Sequence, residues 1–271
     1  MAAGTFDLVI VGGGNMGAAL AGGLLAGGIV APGRLAVAET LAERRGQLAE
    51  LLAGVHVAAT IPPGSAAVLA VKPPDVPDAA QAAVANGARR LLSIAAGVTI
   101  RQIEGAAAAV TSEPVAVIRA MPNTPALVGQ GASAISGGSA ASDDDLAWAE
   151  EILGGVGLVV RVSEADLDAV TGLSGSGPAY VFLVAEALID AAVDAGLSTE
   201  LATTLTTQLL VGSAALLAER GDPAALRVMV TSPGGTTAAG LGVLDDRAVR
   251  EAFRDAVAAA TRRSRELSPD R

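Results

Sequence analysis

Through about residue 162, short β-branched runs alternate with Ala-rich segments of helical period, the order required by a parallel sheet with helices on both faces. Strands are expected at 8–11, 35–38, 55–57, 68–71, 91–94, 115–118, 132–135 and 158–162. Helices are expected between them at 14–26, 41–53, 75–86, 99–107 and 143–153. Past residue 163 the β runs cease, and 178–195, 199–219, 223–231, 235–244 and 247–267 all read as helix. The chain is therefore α/β: a doubly wound N-terminal sheet over 1–163, then an all-α domain over 164–271. Ser163, with Asp166 three residues on, makes a weak capping box at that boundary, and 268–271 reads as a disordered tail.

Apolar residues make up 51% of the chain and aromatics 2%, with 33 Gly, so the core is built of Ala, Val, Leu and Ile with close backbone packing. A net charge of −10 repels phosphate backbones and argues against a nucleic-acid partner. With no Cys and a single His, neither disulfides nor a metal site are expected. That histidine, His56, sits in a Val-His-Val alternation typical of a strand, which leaves no Ser-His-Asp triad. The only lysine, Lys72, is followed by Pro73, so a P-loop is excluded. The uncharged stretch 8–33 is too rich in glycine for a lipid helix, and no basic residue precedes Arg34. A cytoplasmic protein with no membrane association is expected. Residues 169–185 and 201–218 carry no charge at all, more apolar surface than a small monomeric bundle hides, which points to burial against another subunit.

Gly12, Gly14 and Gly17 form G-x-G-x-x-G in VIVGGGNMG. With this much glycine the bare pattern arises about half a time by chance, so context must decide. Here it follows a strand and opens a helix, as in the first turn of a Rossmann-like dinucleotide fold, where helix amides take the pyrophosphate. Glu39 ends the second strand, 22 residues after Gly17, near the offset at which an acid takes the ribose 2′-hydroxyl of NAD. Arg44 and Arg45 follow and suit a 2′-phosphate instead, which leaves NAD and NADP both open. The Ala70-Val71-Lys72-Pro73 and Arg119-Ala120-Met121-Pro122-Asn123-Thr124-Pro125 segments each end a strand on the edge where such sheets bind ligands. Two later segments, Ser174-Gly175-Ser176-Gly177-Pro178 and Ser232-Pro233-Gly234-Gly235-Thr236-Thr237, read as helix starts capped by Ser, with free amides for an anion such as a carboxylate.

VGGGNMG, AVKP, SIAAGV, RAMPNTPALV, SGSGPAYVF and SPGGTT, in this order and spacing, resemble pyrroline-5-carboxylate reductase from about residue 7 to 267. The resemblance implies a Rossmann domain followed by a helical substrate-binding and dimerisation domain, forming a homodimer able to assemble into a decamer. It implies reduction of 1-pyrroline-5-carboxylate to L-proline with NADPH or NADH, the last step of proline biosynthesis. By it, Val11, Gly12, Gly13, Gly14, Asn15 and Met16, with Gly17, bind the dinucleotide phosphates; Thr40 lies near the adenosine ribose; Ala70, Val71, Lys72 and Pro73 line the cofactor; and Asn123 lies close to the nicotinamide. It also places the substrate carboxylate at Ser232, Gly234, Gly235, Thr236 and Thr237, with the Thr237 hydroxyl as the catalytic contact to the ring nitrogen. Glu39 departs from the small polar residue common in NADP-preferring members.

The residue inventory suits this chemistry, since the cofactor supplies the hydride and the protein need only bind, orient and exclude water. A β-hydroxyacid dehydrogenase has a similar layout but uses a lysine in the helical domain, and no Lys follows Lys72. A dinucleotide-sensing scaffold would keep VGGGNMG but has no need of the SPGGTT helix start.

Overall fold

Alternate residues of the first strand, Leu8 and Ile10 against Val9 and Val11, point to opposite faces of the sheet, and all four are buried. Both faces must therefore be covered by helices. The computed structural model describes residues 5–268. In chain order the first part runs β1 (Phe6–Val11), α1 (Asn15–Ala26), β2 (Leu35–Ala38), α2 (Ala42–Leu51), β3 (His56–Ala58) and β4 (Gly64–Leu69). It continues with α3 (Val76–Ala85), β5 (Arg90–Ser93), α4 (Ile100–Ala108), β6 (Ala116–Met121), β7 (Gly131–Gly137), α5 (Asp143–Gly154) and β8 (Gly157–Arg161).

These make an eight-stranded sheet in the order β3-β2-β1-β4-β5-β6-β7-β8, in which every pair is parallel except the antiparallel β6–β7. Helices α1, α2 and α5 cover the face that carries Leu8, Ile10, Val37 and Val68. The opposite face, with Val9, Val11, Leu69 and Val117, lies under α3 and α4. The winding reverses between β1 and β4, which puts a ligand crevice at the carboxyl ends of those two strands. His56 stacks on Phe6, ring centroids 5.2 Å apart, a packing contact rather than a catalytic one.

The remaining elements are α6 (Leu167–Val170), a π-helical turn Thr171–Gly175, α7 (Gly177–Asp194), α8 (Thr199–Arg220), α9 (Pro223–Met229), α10 (Thr236–Asp246) and α11 (Val249–Glu266). The chain forms two compact units, one of residues 1–176 with 259–271 and one of 177–258. Side chains beyond 163 tie the early helical residues to the sheet. Glu164 accepts the Ile100 amide at 2.8 Å and pairs with the buried Arg119 of β6 at 3.0 Å. The C-terminal segment joins the same unit, because the Ser264 hydroxyl donates to the fully buried Asp168 at 2.8 Å. Ser268, expected in a disordered tail, is buried and donates to the Gly97 carbonyl at 2.8 Å. The other residues of that tail, 269–271, lie outside the described residues. At the expected capping box the Ser163 hydroxyl bonds the Asp166 carboxylate at 2.6 Å, and no side chain caps the backbone there.

In the second unit, α7 and α8 pack against each other yet leave Phe182, Leu183, Leu205, Leu209 and Val211 half or more exposed. The helical stretches Glu164–Asp194 and Thr199–Arg220 are long and apolar enough, by length and composition alone, to cross a membrane.

Candidate active site

β1 delivers the chain into its glycine turn between the ends of two neighbouring strands. The Gly12 amide donates to the Ala38 carbonyl after β2, and the Ala70 amide donates to the Val11 carbonyl, both at 2.8 Å. Gly12 has φ +104°, and a Cβ there would stand 2.5 Å from the Ala70 carbonyl oxygen, so only glycine fits. A Cβ on Gly17 would lie 2.1 Å from the Gly12 oxygen, which lets α1 sit directly on the turn. Gly14 is the N-cap of α1 with no side-chain cap, and space is open above it. The amides of Asn15, Met16 and Gly17 therefore precede the first helical bond, from Ala18 to Gly14. This is the cradle a diphosphate needs, and the residues present fit a dinucleotide.

Ala70 and Val71 border this turn, and β4 covers Gly64–Leu69 rather than 68–71. Ala70 and Val71 form the strand's exit, and the exposed Lys72 precedes a 3₁₀ turn at Pro73–Asp75. A groove of about 710 Å³ along α1 is lined by Asn15 and Arg44 and by none of Gly12, Gly14 and Gly17, so it meets the dinucleotide cradle only at Asn15.

Glu39 faces the glycine turn. Its carboxylate accepts the Gly13 amide at 3.0 Å, the Leu41 amide at 2.8 Å and the Thr40 hydroxyl at 3.4 Å. Arg44 donates through Nε to the Gly13 carbonyl at 2.8 Å. Arg45 donates to the carbonyls of Glu39 at 2.9 Å and Thr40 at 2.7 Å.

Asn123 follows β6 and is held at both ends of its side chain: Oδ1 accepts the Ala132 amide at 2.8 Å, and Nδ2 donates to the Ser174 carbonyl at 3.1 Å. The expected helix start at Ser174 is not present. Residues 171–175 are already helical, the Ser176 amide donates to the Thr171 carbonyl at 2.8 Å, and the Ser174 hydroxyl turns back to the Val170 carbonyl at 3.3 Å. A π-helical turn absorbs the glycines that read as a fresh start, so no free amides arise there.

In the second unit the N-cap of α10 is Gly235, not Ser232. Ser232 closes the preceding turn through its carbonyl, which accepts the Gly235 amide at 3.0 Å, with Gly234 at φ +70°. The Gly235 amide is thereby engaged, while Thr236, Thr237 and Ala238 precede the first helical bond, from Ala239 to Gly235. No side chain caps this end, and Thr236 and Thr237 are exposed. Sequence reasoning missed the Arg119–Glu164 pair, whose members stand 45 residues apart with no local signal linking them.

Residues 164–267 match the family described as pyrroline-5-carboxylate reductase dimerisation, and residues 7–97 match that described as NADP oxidoreductase coenzyme F420-dependent. Among curated proteins, the chain is 42% identical to a pyrroline-5-carboxylate reductase of Synechocystis, covering 97% of this chain and 98% of that one. Among solved structures it is similar to a pyrroline-5-carboxylate reductase from Coxiella burnetii, with a TM-score of 0.87 at 35% identity, over 98% of this chain and 99% of the other. The pyrroline carboxylate reductase of Plasmodium falciparum, solved with NADP bound, gives a TM-score of 0.82 at 29% identity over 98% of this chain and 100% of that one.

Proposed function

Because this chain belongs to the pyrroline-5-carboxylate reductase family, we propose that the starts of α1 and α10 each hold one reactant of 1-pyrroline-5-carboxylate reduction. The reaction is an NAD(P)H-dependent reduction that yields L-proline. The observation that carries the reading is the glycine turn, where left-handed Gly12 lies under Ala70 and the open amides of Asn15, Met16 and Gly17 suit a dinucleotide diphosphate. A reduced nicotinamide held there would supply the hydride for the imine carbon and leave oxidised, with the ring nitrogen protonated from solvent to give the secondary amine.

The chain's own work is binding and orientation. Amides at the start of α10, those of Thr236 and Thr237, take the substrate carboxylate, aided by the positive end of the helix. The Thr237 hydroxyl contacts the ring nitrogen and keeps it hydrogen-bonded as its charge changes. No side chain of high basicity is required, in keeping with a single His, itself stacked on Phe6.

The helical part is an oligomerisation domain. The exposed apolar side chains of α7 and α8, together with that domain's span, support a homodimer in which these helices meet a second copy rather than lipid. A cytoplasmic enzyme acting on a small imino acid, with no nucleic-acid partner, agrees with the charge of −10.

Steady-state assays with 1-pyrroline-5-carboxylate and each reduced nicotinamide test the reading. Proline should form in step with loss of the reduced cofactor. Turnover of a 3-hydroxy acid instead, with no proline formed, would replace it with the β-hydroxyacid dehydrogenase reading.

A further inference from the structure

We propose that Glu39, with Arg44 and Arg45 committed to backbone carbonyls, makes this chain selective for NADH over NADPH. The proposal rests on the reductase reading only for the class of dinucleotide bound.

Position comes first. Glu39 directly follows β2, and the carbonyl of the preceding residue, Ala38, accepts the Gly12 amide at 2.8 Å, so the acid stands beside the turn that cradles the diphosphate. In this fold the adenosine ribose lies at the end of the second strand. Orientation follows from the hydrogen bonds. One carboxylate oxygen takes the Gly13 amide at 3.0 Å, which turns it toward the glycine turn, and the other takes the Leu41 amide at 2.8 Å and the Thr40 hydroxyl at 3.4 Å. A carboxylate has about four acceptor positions, so it retains capacity for a ribose hydroxyl.

A 2′-phosphate would instead bring a charge of about −1.5 to −2 against a carboxylate. It needs a guanidinium fork to offset that repulsion. Both nearby arginines are turned to other work. Arg44 holds the Gly13 carbonyl at 2.8 Å and the Gln47 side chain at 2.9 Å. Arg45 spans the carbonyls of Glu39 and Thr40 at 2.9 and 2.7 Å. A guanidinium has five donors, so neither is exhausted, but swinging either one onto a phosphate gives up carbonyls that fix the turn and the β2 exit. Gly13 is thus gripped on both sides, its amide by Glu39 and its carbonyl by Arg44.

The test is calorimetric titration of the full chain with NADH and with NADPH, with no imine present. NADH should bind at least about fivefold more tightly, since like charges in one subsite disfavour the phosphorylated form. Glu39→Gln keeps an acceptor oxygen and removes the charge, and should reduce that ratio by more than half; Glu39→Ser is the second variant should the first fold poorly. Arg44→Ala should weaken both dinucleotides alike. A wild-type ratio below about fivefold, an unchanged ratio in a folded Glu39 variant, or a loss confined to NADPH in Arg44→Ala overturns the proposal. Should neither variant fold, the wild-type ratio alone decides. A protein that prefers NADH in this titration yet reduces no pyrroline-5-carboxylate would defeat the reductase reading and leave the selectivity standing.

Discussion

The side-chain amide of Asn123 donates to the carbonyl of Ser174 at 3.1 Å, joining the loop after β6 to a π-helical turn 51 residues further along the chain. Its oxygen simultaneously accepts from Ala132 at the edge of β7, so a single side chain sets the spacing of three segments. Asn123→Ala should lower stability by about 1–3 kcal/mol, the cost of leaving two half-buried backbone groups without their side-chain partner. Asn123→Asp keeps the acceptor for Ala132 but sets a carboxylate against the Ser174 oxygen. It should be less stable than Asn123→Ala at pH 8 and begin to recover relative to it at about pH 4, as the carboxyl protonates and becomes a donor. Urea unfolding of both variants at the two pH values checks this.

Thr237→Ala should reduce turnover roughly 5- to 150-fold, the kinetic equivalent of about 1 to 3 kcal/mol lost from one polar contact. Dinucleotide affinity and melting temperature should stay close to wild type, because Gly235 caps α10 and the backbone amides remain. Thr236→Ala is the control, since consecutive helix positions point about 100° apart. Loss of turnover in Thr236→Ala alone would shift the contact to that residue, and full activity in both would place the substrate elsewhere.

Asp145 couples the start of α5 to β5. Burial pushes its carboxyl up, yet the Ser142 hydroxyl and amide and the Arg90 guanidinium outweigh this and hold it below the ordinary value of an aspartate. Its bonds are 2.6 and 2.9 Å to Ser142 and 2.5 Å to Arg90. A carboxyl lowered on folding stabilises the protein above its unfolded value and loses that contribution as pH falls through the folded one. Asp145→Asn should therefore be destabilised by about 1–3 kcal/mol at pH 7. The gap from wild type should narrow below about pH 4, as denaturant unfolding across that range would reveal.

Leu209 is 54% exposed and Val211 58% exposed on α8, within the matched dimerisation region. An aspartate at either position should dissociate the assembly if that residue lies in the subunit contact, because burying an unpaired charge costs several kcal/mol. Light scattering at micromolar concentration should show an oligomer for the wild type, and activity should fall together with size in the variants.

Local chemistry explains which parts of the fold were legible from the residues. All eight strands are legible because each is a short apolar run, most of them set off from the next element by Gly or Pro. Gly64, Ser65, Ala66 and Ala67 have weak strand preference, so the residues place β4 later than it lies and extend it into its exit at Ala70 and Val71. The glycine turn and the α10 start follow short-range rules, and both were located; the cap was set three residues early because Ser232 closes a turn with its carbonyl instead of capping with its hydroxyl. Long-range partners were invisible. Nothing near Asp168 announces Ser264, 96 residues away, and nothing near Asn123 announces the π-helical turn it holds.

The first compact unit is made of two stretches, 1–176 and 259–271, with the second unit's 82 residues, 177–258, spliced between them. During synthesis the sheet and its helices leave the ribosome long before Ser264 and Ser268, the residues that satisfy Asp168 and the Gly97 carbonyl. The nascent dinucleotide-binding unit must therefore wait with a buried acid short of one of its partners while the apolar α7 and α8 are translated. Completion of the sheet-bearing unit is in this way timed to follow translation of the helices inserted within it.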